Sequence, residues 1–394
     1  MSPRPENVFP AAEGNISLII PREVEKIPNK FANCHDKGAI MNREGETCFY
    51  FSGSFAILIV LSISYRPFIF GAGPSPDLPL ARFLPLLPEG MVSAWLRQNV
   101  PAGAWMLDPI ASTPALALEA ARMGYRVLVV SNNPILSFML EVLAQAPSAL
   151  DFQAAISDLA TSRRGEERME QHFKGLYETD CPNCGKHIPV KALIWRKDEL
   201  TPIKREISCL YCKAEGEYPV EVVDLGHLSL PGNPNLHRAR ALERISTLQD
   251  ETRDGAVEAL QAYLPRPLYF ITTLVNKIEG LAVSVDRRRL LLALALSVCD
   301  KANTLWPHPG GRTRPRQLST PPEFREDNLW SAFEHAVRDW AGQSNRVPLV
   351  RWPELPPETG GICLFSGRLR NLLPLPNGID LHSALAVLPR PNQA

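Results

Sequence analysis

"WMLDPIASTPALALEAARMGYRVLVVSNNP", which runs from Trp105 to Pro134, is the stretch that decides the fold. The apolar run from Ala104 to Leu107 predicts a short strand, and Thr113-Pro114 predicts a helix N-cap followed by proline at the first helical position. The Ala- and Leu-rich segment from Ala115 to Met123 predicts a helix that Gly124 ends. "YRVLVVS" is a continuous apolar run, typical of a strand buried on both faces of a parallel sheet. The stretch therefore reads as a βαβ unit and predicts an α/β fold.

The chain has 394 residues with 42 basic and 42 acidic side chains, so no global electrostatic field draws it to nucleic acid or to an anionic membrane. Such binding must come from local patches. Four of the eight cysteines form two CxxC pairs, and no secretory signal opens the sequence. These features favour a reducing, cytoplasmic setting.

The two CxxC pairs are Cys181 with Cys184 and Cys209 with Cys212. Zinc prefers four soft ligands in a tetrahedron, and each CxxC turn presents two thiolates to one side of the ion. Alternating "KALIW" and "KREI" strands between the pairs predict a zinc ribbon, whose filled ligand set makes the ion structural. The alternative, a thioredoxin-like redox pair, needs one CxxC beside a βαβ start. His187 is either a competing ligand or a histidine outside the metal's ligand set.

Together these motifs resemble class I S-adenosylmethionine-dependent amino-methyltransferases acting on DNA, whose first motif is DPFxGSGTT, a helix, a glycine and an acidic residue closing the next strand. The chain is similar in particular to a branch with a zinc ribbon between the first and the catalytic motif. Asp108-Pro109, Gly124 and Asn133-Pro134 match, and the resemblance covers Leu80 to the end. It implies a Rossmann-like methyltransferase core with an inserted zinc ribbon and helical segment.

By this resemblance the Asp108 carboxylate receives the amino group of S-adenosylmethionine. The expected cofactor contacts are Asp108, Pro109, Ile110, Ala111, Ser112, Thr113, Ser131, Asn132 and Asn133. The turn departs from the family pattern, because Ser112, Thr113 and Pro114 stand at the Gly-Ser-Gly positions and Ser131 at the acidic position. The alternative is a structural βαβ unit without a ligand.

The family's catalytic turn, [DNS]-P-P-[YFW], follows the fourth strand and holds a base flipped out of the helix. The matching place here is "SALAVLPRPNQA", where Leu388 replaces the polar residue and the aromatic is absent. The expected catalytic residues are Pro389, Arg390, Pro391 and Asn392, with DNA as the partner.

A basic segment lies in the Pro-rich loop "HPGGRTRPRQLSTPP", where Arg312, Arg314 and Arg316 occupy every second position. In an extended loop this spacing projects cations along one edge, which suits phosphate contacts. A solvated surface loop is the alternative.

The sequence divides into five parts. They are a poorly ordered or non-core extension (1–75), a cofactor-binding half (76–150), a zinc-ribbon insertion (151–228), a helical region with the basic loop (229–345) and returning strands with the catalytic-like turn (346–394). The insertion is entered through a predicted helix "ATSRRGEERMEQHFKGLYETD", and another helix is predicted from Leu236 to Leu264. Phe49 to Tyr65 is apolar but slightly short for a membrane helix, which favours a buried strand or extension over an anchor.

Two functions fit these observations. The first is a methyltransferase-like protein acting on exocyclic amino groups of DNA bases. The alternative is a non-enzymatic module in which the zinc ribbon and the arginine loop bind nucleic acid or protein on a methyltransferase scaffold.

Overall fold

A computed structural model describes residues 40–41, 47–48, 69–228, 232–310, 319–342, 345–372, 375 and 378–389. Several sequence predictions fall outside these ranges: the apolar segment Phe49–Tyr65, most of the 1–75 extension, the arginines 312, 314 and 316, and residues 390–392 of the expected catalytic turn.

The elements of the described chain are as follows. The strands are β1 (Ile40–Met41), β2 (Thr47–Cys48), β3 (Trp105–Asp108), β4 (Arg126–Ser131), β5 (Arg163–Arg164), β6 (Glu167–Arg168), β7 (Glu178–Asp180), β8 (His187–Arg196), β9 (Lys204–Ser208), β10 (Glu215–Pro219), β11 (Glu323–Asp327), β12 (Leu349–Arg351), β13 (Gly361–Ser366) and β14 (Leu381–Ala384). The helices are α1 (Met91–Asn99), α2 (Pro114–Arg122), α3 (Pro134–Gln145), α4 (Ala149–Thr161), α5 (Met169–Lys174), α6 (Val222–His227), α7 (Pro234–Ile245), α8 (Arg253–Gln261), α9 (Pro265–Gly280), α10 (Val285–Lys301), α11 (Leu329–His335) and α12 (Val337–Trp340). Short 3-10 turns lie at Ala81–Phe83, Gly175–Tyr177 and Leu369–Asn371.

A five-stranded parallel sheet has the order β12–β13–β4–β3–β14. Its strands bury alternate side chains on opposite faces, because successive residues of a strand point to opposite sides. On β4, Val127 and Val129 face the main core, whereas Leu128 and Val130 face a smaller cluster with Trp105. Burial on both faces explains the unbroken apolar run of β4. The predicted α/β class is therefore confirmed.

The βαβ unit forms as its sequence indicates. Thr113 caps α2, its Oγ1 accepting the Ala115 N–H at 3.3 Å, and Pro114 is the first helical residue. After the helix, Gly124 adopts φ 88°. Gly124 also lies against Gly360, where an added Cβ would come within 2.6 Å of the Gly124 Cα. This close backbone approach, just before β13, explains the glycine at position 360, whereas at position 124 the positive φ is the reason for glycine.

The cysteine region forms a separate antiparallel sheet in the order β10–β9–β8–β11, with β7 paired to β8. The predicted "KALIW" and "KREI" strands are the cores of β8 and β9. Strand β11 comes from the region expected to be helical and completes this sheet about 130 residues along the chain from β8. Its pattern, Phe324 and Glu326 buried between half-exposed neighbours, is the alternation of a strand with one buried face.

Two helix predictions are wrong in detail. The polar run expected to be one helix instead contains the β5–β6 hairpin, since Gly165 has φ 61° and interrupts it. The helix expected from Leu236 to Leu264 is split into α7 and α8. The Asp250 side chain accepts the Thr252 N–H at 2.8 Å and so stabilises the intervening turn.

One main core joins the two sheets. It contains Val127 and Ile362 of the parallel sheet together with Ile188 and Ile207 of the antiparallel sheet. Aromatic residues of the helices fill the space between them, with the Phe173 and Phe270 ring centroids 4.2 Å apart. Among the described residues, no single helix is long and apolar enough to cross a membrane. Only when α3 and α4 are taken together, across the bend of 117° between them, do their length and composition suffice.

Candidate functional site

The two CxxC turns have the same backbone geometry. In the first, the Gly185 N–H donates to the Cys181 carbonyl at 2.9 Å, and in the second the Lys213 N–H donates to the Cys209 carbonyl at 3.0 Å. Gly185 and Lys213 both adopt left-handed conformations, with φ 65° and 63°. Each turn therefore aims its two thiols to the same side.

The turns bring the sulfurs of all four cysteines within 4.8 Å of one another. The Cys181 and Cys212 sulfurs are 3.6 Å apart, and those of Cys184 and Cys209 are 3.7 Å apart. An ion about 2.3 Å from each of four tetrahedral sulfurs would separate them by about 3.8 Å. The four cysteines thus form a cluster that can hold a metal ion such as zinc.

His187 lies outside this ligand cluster. Its Nδ1 is 3.0 Å from Asp180 Oδ1, and its Nε2 is 3.0 Å from Glu178 Oε2. The hydrogen bonds with Asp180 and Glu178 raise the pKa of the imidazole above its ordinary value. The imidazole is therefore engaged by two carboxylates of β7.

A buried arginine connects α6 to the antiparallel sheet that carries the four cysteines. The Arg205 side chain, on β9, is fully buried and donates to Thr179 Oγ1 at 2.6 Å and to Asp224 Oδ2 at 2.9 Å. It also pairs with Glu221. These partners satisfy a charge that would otherwise be costly to bury.

A second buried ion pair fastens the same sheet to α9. Arg266 donates to both carboxylate oxygens of Glu326, at 2.8 and 2.9 Å, and to the Leu176 carbonyl at 3.0 Å. The indole N–H of Trp195 donates to the same carboxylate at 2.8 Å. Sequence reasoning missed this network, because a Glu in a short polar strand and an Arg between two prolines carry no pairing signal.

The expected cofactor turn follows β3 and is organised by Asp108. Its Oδ1 accepts the Ile110 N–H at 3.2 Å and the Ala111 N–H at 2.9 Å. Ala111 takes the left-handed conformation, with φ 50°, whereas Ser112 and Thr113 do not have positive φ. The carboxylate therefore closes the turn, and the absent glycines are not needed for its backbone.

Asp108 is almost completely buried. Burial raises the pKa of its carboxyl from 3.8 to about 6, against the lowering effect of the two backbone hydrogen bonds. In the described part of the chain this carboxylate has no cationic partner. A buried carboxylate with a strongly shifted pKa at a strand end is a common feature of binding and catalytic sites.

The residues beside Asp108 line a cavity of about 10 Å³ at the carboxyl ends of β3 and β4. Such a volume holds about one water molecule. The expected contacts that line it are Asp108, Ala111, Thr113 and Ser131, and the sequence did not indicate its other polar wall, Ser137 of α3. A nucleoside-sized ligand requires the wall to open.

The remaining expected cofactor contacts lie at the rim or elsewhere. Ile110 and Asn132 are exposed, and Pro109 and Ser112 are half-buried. Asn133 caps α3, its Oδ1 accepting the Ile135 N–H at 2.9 Å. The Ser131 hydroxyl, which also lines the cavity, donates to the Asn133 carbonyl at 3.2 Å. These polar groups serve the start of α3.

The expected catalytic strand lies next to the cofactor strand. β14 pairs with β3, and the Leu385 N–H continues the pairing by donating to the Leu107 carbonyl at 2.9 Å. The Ser112 hydroxyl donates to the Val387 carbonyl, which joins the two strand-end loops. Pro389 lies two residues beyond Val387 in the same loop.

This position is where the strand order reverses. From β3 the chain proceeds to β4 on one side, and β14 returns on the other side of β3. In open parallel sheets, ligands bind outside the carboxyl ends of the strands at such a switch point.

Comparison with known proteins does not assign a family: no family model, curated protein or solved structure matches this chain significantly.

Proposed function

We propose that this protein is an S-adenosylmethionine-dependent methyltransferase-like protein that acts on exocyclic amino groups of DNA bases, with a structural zinc ion held by the four cysteines. The observation that carries the proposal is the juxtaposition of the Asp108 turn and the β14 loop at the switch point. An amino-methyltransferase needs its methyl donor and its target amine at one place, since transfer is an in-line displacement that depends on positioning.

The electrostatics of Asp108 support a cationic ligand group. An ionised carboxylate in an apolar surrounding costs free energy unless an opposite charge compensates it. The ammonium group of the cofactor's methionine moiety supplies such a charge. In this proposal Asp108 binds the ammonium group of the cofactor. The hydrogen bond from Ser112 to Val387 orients the β14 loop, and the loop from Leu388 onward contacts the base.

Titration of S-adenosylmethionine into the zinc-loaded full chain tests the cofactor assignment. Asp108→Asn retains an oxygen that accepts the two turn hydrogen bonds but removes the negative charge. We expect it to weaken binding about 10- to 100-fold, the value of a hydrogen bond to a charged group. Affinity of the parent chain should rise from pH 5 to 7 as Asp108 ionises, and that of Asp108→Asn should not. Absence of binding by folded parent protein at any pH contradicts the assignment.

The raised pKa of Asp108 also predicts a pH dependence of stability. Its folded-state value of about 6 lies above the ordinary 3.8, so its stabilising contribution is complete below pH 3.8 and is lost as the pH rises through 6. Asp108→Asn removes this loss. Relative to the parent, its free energy of unfolding should therefore improve by roughly 2.4 kcal/mol between pH 4 and pH 7.5.

Urea unfolding at the two pH values measures this difference. Asp151→Asn is the matched control, because hydrogen bonds from Ser148 lower the pKa of that exposed carboxyl. Its effect should have the opposite sign. Equal effects of Asp108→Asn at both pH values would contradict the burial argument.

Methyl transfer completes the test. Radiolabelled S-adenosylmethionine and DNA should give labelled bases with the parent chain and less product with Asp108→Asn. If the cofactor binds no form of the protein while nucleic acid does, the interaction-module alternative is favoured.

A further inference from the structure

The tip of the second CxxC turn exposes two large apolar side chains. Leu210 and Tyr211 occupy the positions between Cys209 and Cys212, and their exposed fractions are 79% and 69%. The first turn carries the smaller Pro182 and Asn183 at these positions. Exposed aromatic residues on a rigid element are frequent binding anchors, because little conformational entropy is lost when they engage a partner.

Two lysines flank this tip. Lys186 Nζ lies over one face of the Tyr211 ring, 6.0 Å from its centroid, and Lys213 follows Cys212 directly. In the region the structure describes, neither ammonium group forms an ion pair. Lys191 and Lys204 of the same sheet, by contrast, pair with Glu215 and Glu217. The tip therefore combines an exposed aromatic ring with two cations that no carboxylate of the described residues compensates.

We propose that Tyr211 is a stacking platform for an unpaired base of single-stranded nucleic acid, with Lys186 and Lys213 beside the adjacent phosphates. A nucleotide matches both features of the tip, because it has a flat π-face and one negative charge per residue. An apolar protein segment would match Tyr211 but would desolvate two uncompensated ammonium groups. A purely acidic segment would leave the exposed ring without a partner.

The metal cluster limits the electrostatic part of this binding. Four thiolates and a divalent ion carry a net charge of about −2, which the two ammonium groups only balance. Stacking therefore dominates, and salt dependence is weak. For two phosphate contacts on a single strand, log K should fall with log salt with a slope no steeper than about −1.4.

This inference does not need the cofactor, so it stands or falls separately from methyl transfer. It adds a contact for the unpaired strand that an enzyme acting on extruded bases must handle. The arrangement is tested without S-adenosylmethionine, and Asp108→Asn should bind the same strand as tightly as the parent chain.

The experiment is fluorescence anisotropy of a labelled oligo-dT strand titrated with zinc-loaded full chain. Tyr211→Ala should weaken binding by roughly 5- to 150-fold, whereas Tyr211→Phe, which keeps the ring, should bind like the parent. Leu200→Ala is the matched control: Leu200 is 91% exposed in the β8–β9 connection, at the far end of the same strands. Lys186→Gln and Lys213→Gln should each make the salt slope shallower by about 0.7.

Zinc content and thermal unfolding should be the same for all these variants, which separates binding from folding. Equal affinity of Tyr211→Ala and parent, or no binding of the strand by the parent, would overturn the proposal. Self-association of the parent that Tyr211→Ala abolishes, with no effect on oligo-dT, would instead assign the tip to contact with a second copy of this chain.

Discussion

Cys209→Ser is expected to release the metal and to unfold the antiparallel sheet. Cys209 is buried and belongs to the main core, so its loss removes a ligand and disturbs the packing below it. Metal binding contributes directly to folding in small structural sites, by about 10–16 kcal/mol in zinc-finger peptides. The core shared with the helices reduces the effect here, and we expect the loss to remain several kcal/mol, among the largest of any single substitution.

Zinc content after dialysis and protease resistance of residues 178–219 measure this effect. Cys299→Ser is the matched control, because Cys299 lies on α10 outside the four-cysteine cluster. It should retain one equivalent of zinc. If Cys209→Ser also retained one tightly bound equivalent of zinc and full protease resistance, the prediction that the metal stabilises this sheet would be wrong.

Glu326→Gln is expected to give the second large effect, through the buried ion pair. The substitution leaves the Arg266 guanidinium with a neutral partner. The Arg266 side chain is only 3% exposed, so water cannot compensate its charge. Breaking a buried pair by removing one charge costs about 3–5 kcal/mol. The β11 strand should detach from α9, with a corresponding fall in the denaturant midpoint.

Glu323→Gln on the same strand provides the control. Glu323 pairs with Arg196 at 3.3 Å at the surface, where an ion pair contributes no more than about 1 kcal/mol. The double replacement Arg266→Met with Glu326→Leu should recover part of the stability, since it removes both charges together but leaves the Trp195 N–H and the Leu176 carbonyl without these partners. A single Glu326→Gln variant as stable as Glu323→Gln would show that the pair is not important for folding.

Local patterns were sufficient for much of the architecture. The βαβ unit from β3 to β4 was predicted within one or two residues, because its strand periodicity, N-cap and terminal glycine are all encoded nearby in the chain. The four-cysteine cluster was predicted for the same reason. Each CxxC turn positions two sulfurs locally, and only one further encounter between two hairpin ends is needed.

Other features depended on encounters that the sequence does not encode locally. The β5–β6 hairpin was predicted as helix because its charged residues suit either structure, whereas Gly165, at φ 61°, turns the chain back so that Arg163 pairs with Arg168. The local role of each expected cofactor contact could not be predicted either. Asn133 was expected to face the ligand, yet it caps α3, and both uses of the side chain produce the same Asn-Pro pattern.

The sequence alone determined the kinds of structure present: a parallel α/β unit and a cluster of four cysteines that can hold a metal ion. Tertiary structure decided which strands become neighbours, because strand order follows from packing of faces that many permutations satisfy equally well. It brought β14 beside β3, joined Ser112 to Val387, and paired Arg266 with Glu326 across 60 residues. Those long-range contacts form the loop arrangement beside Asp108. They also attach the sheet that carries the four cysteines to the rest of the protein.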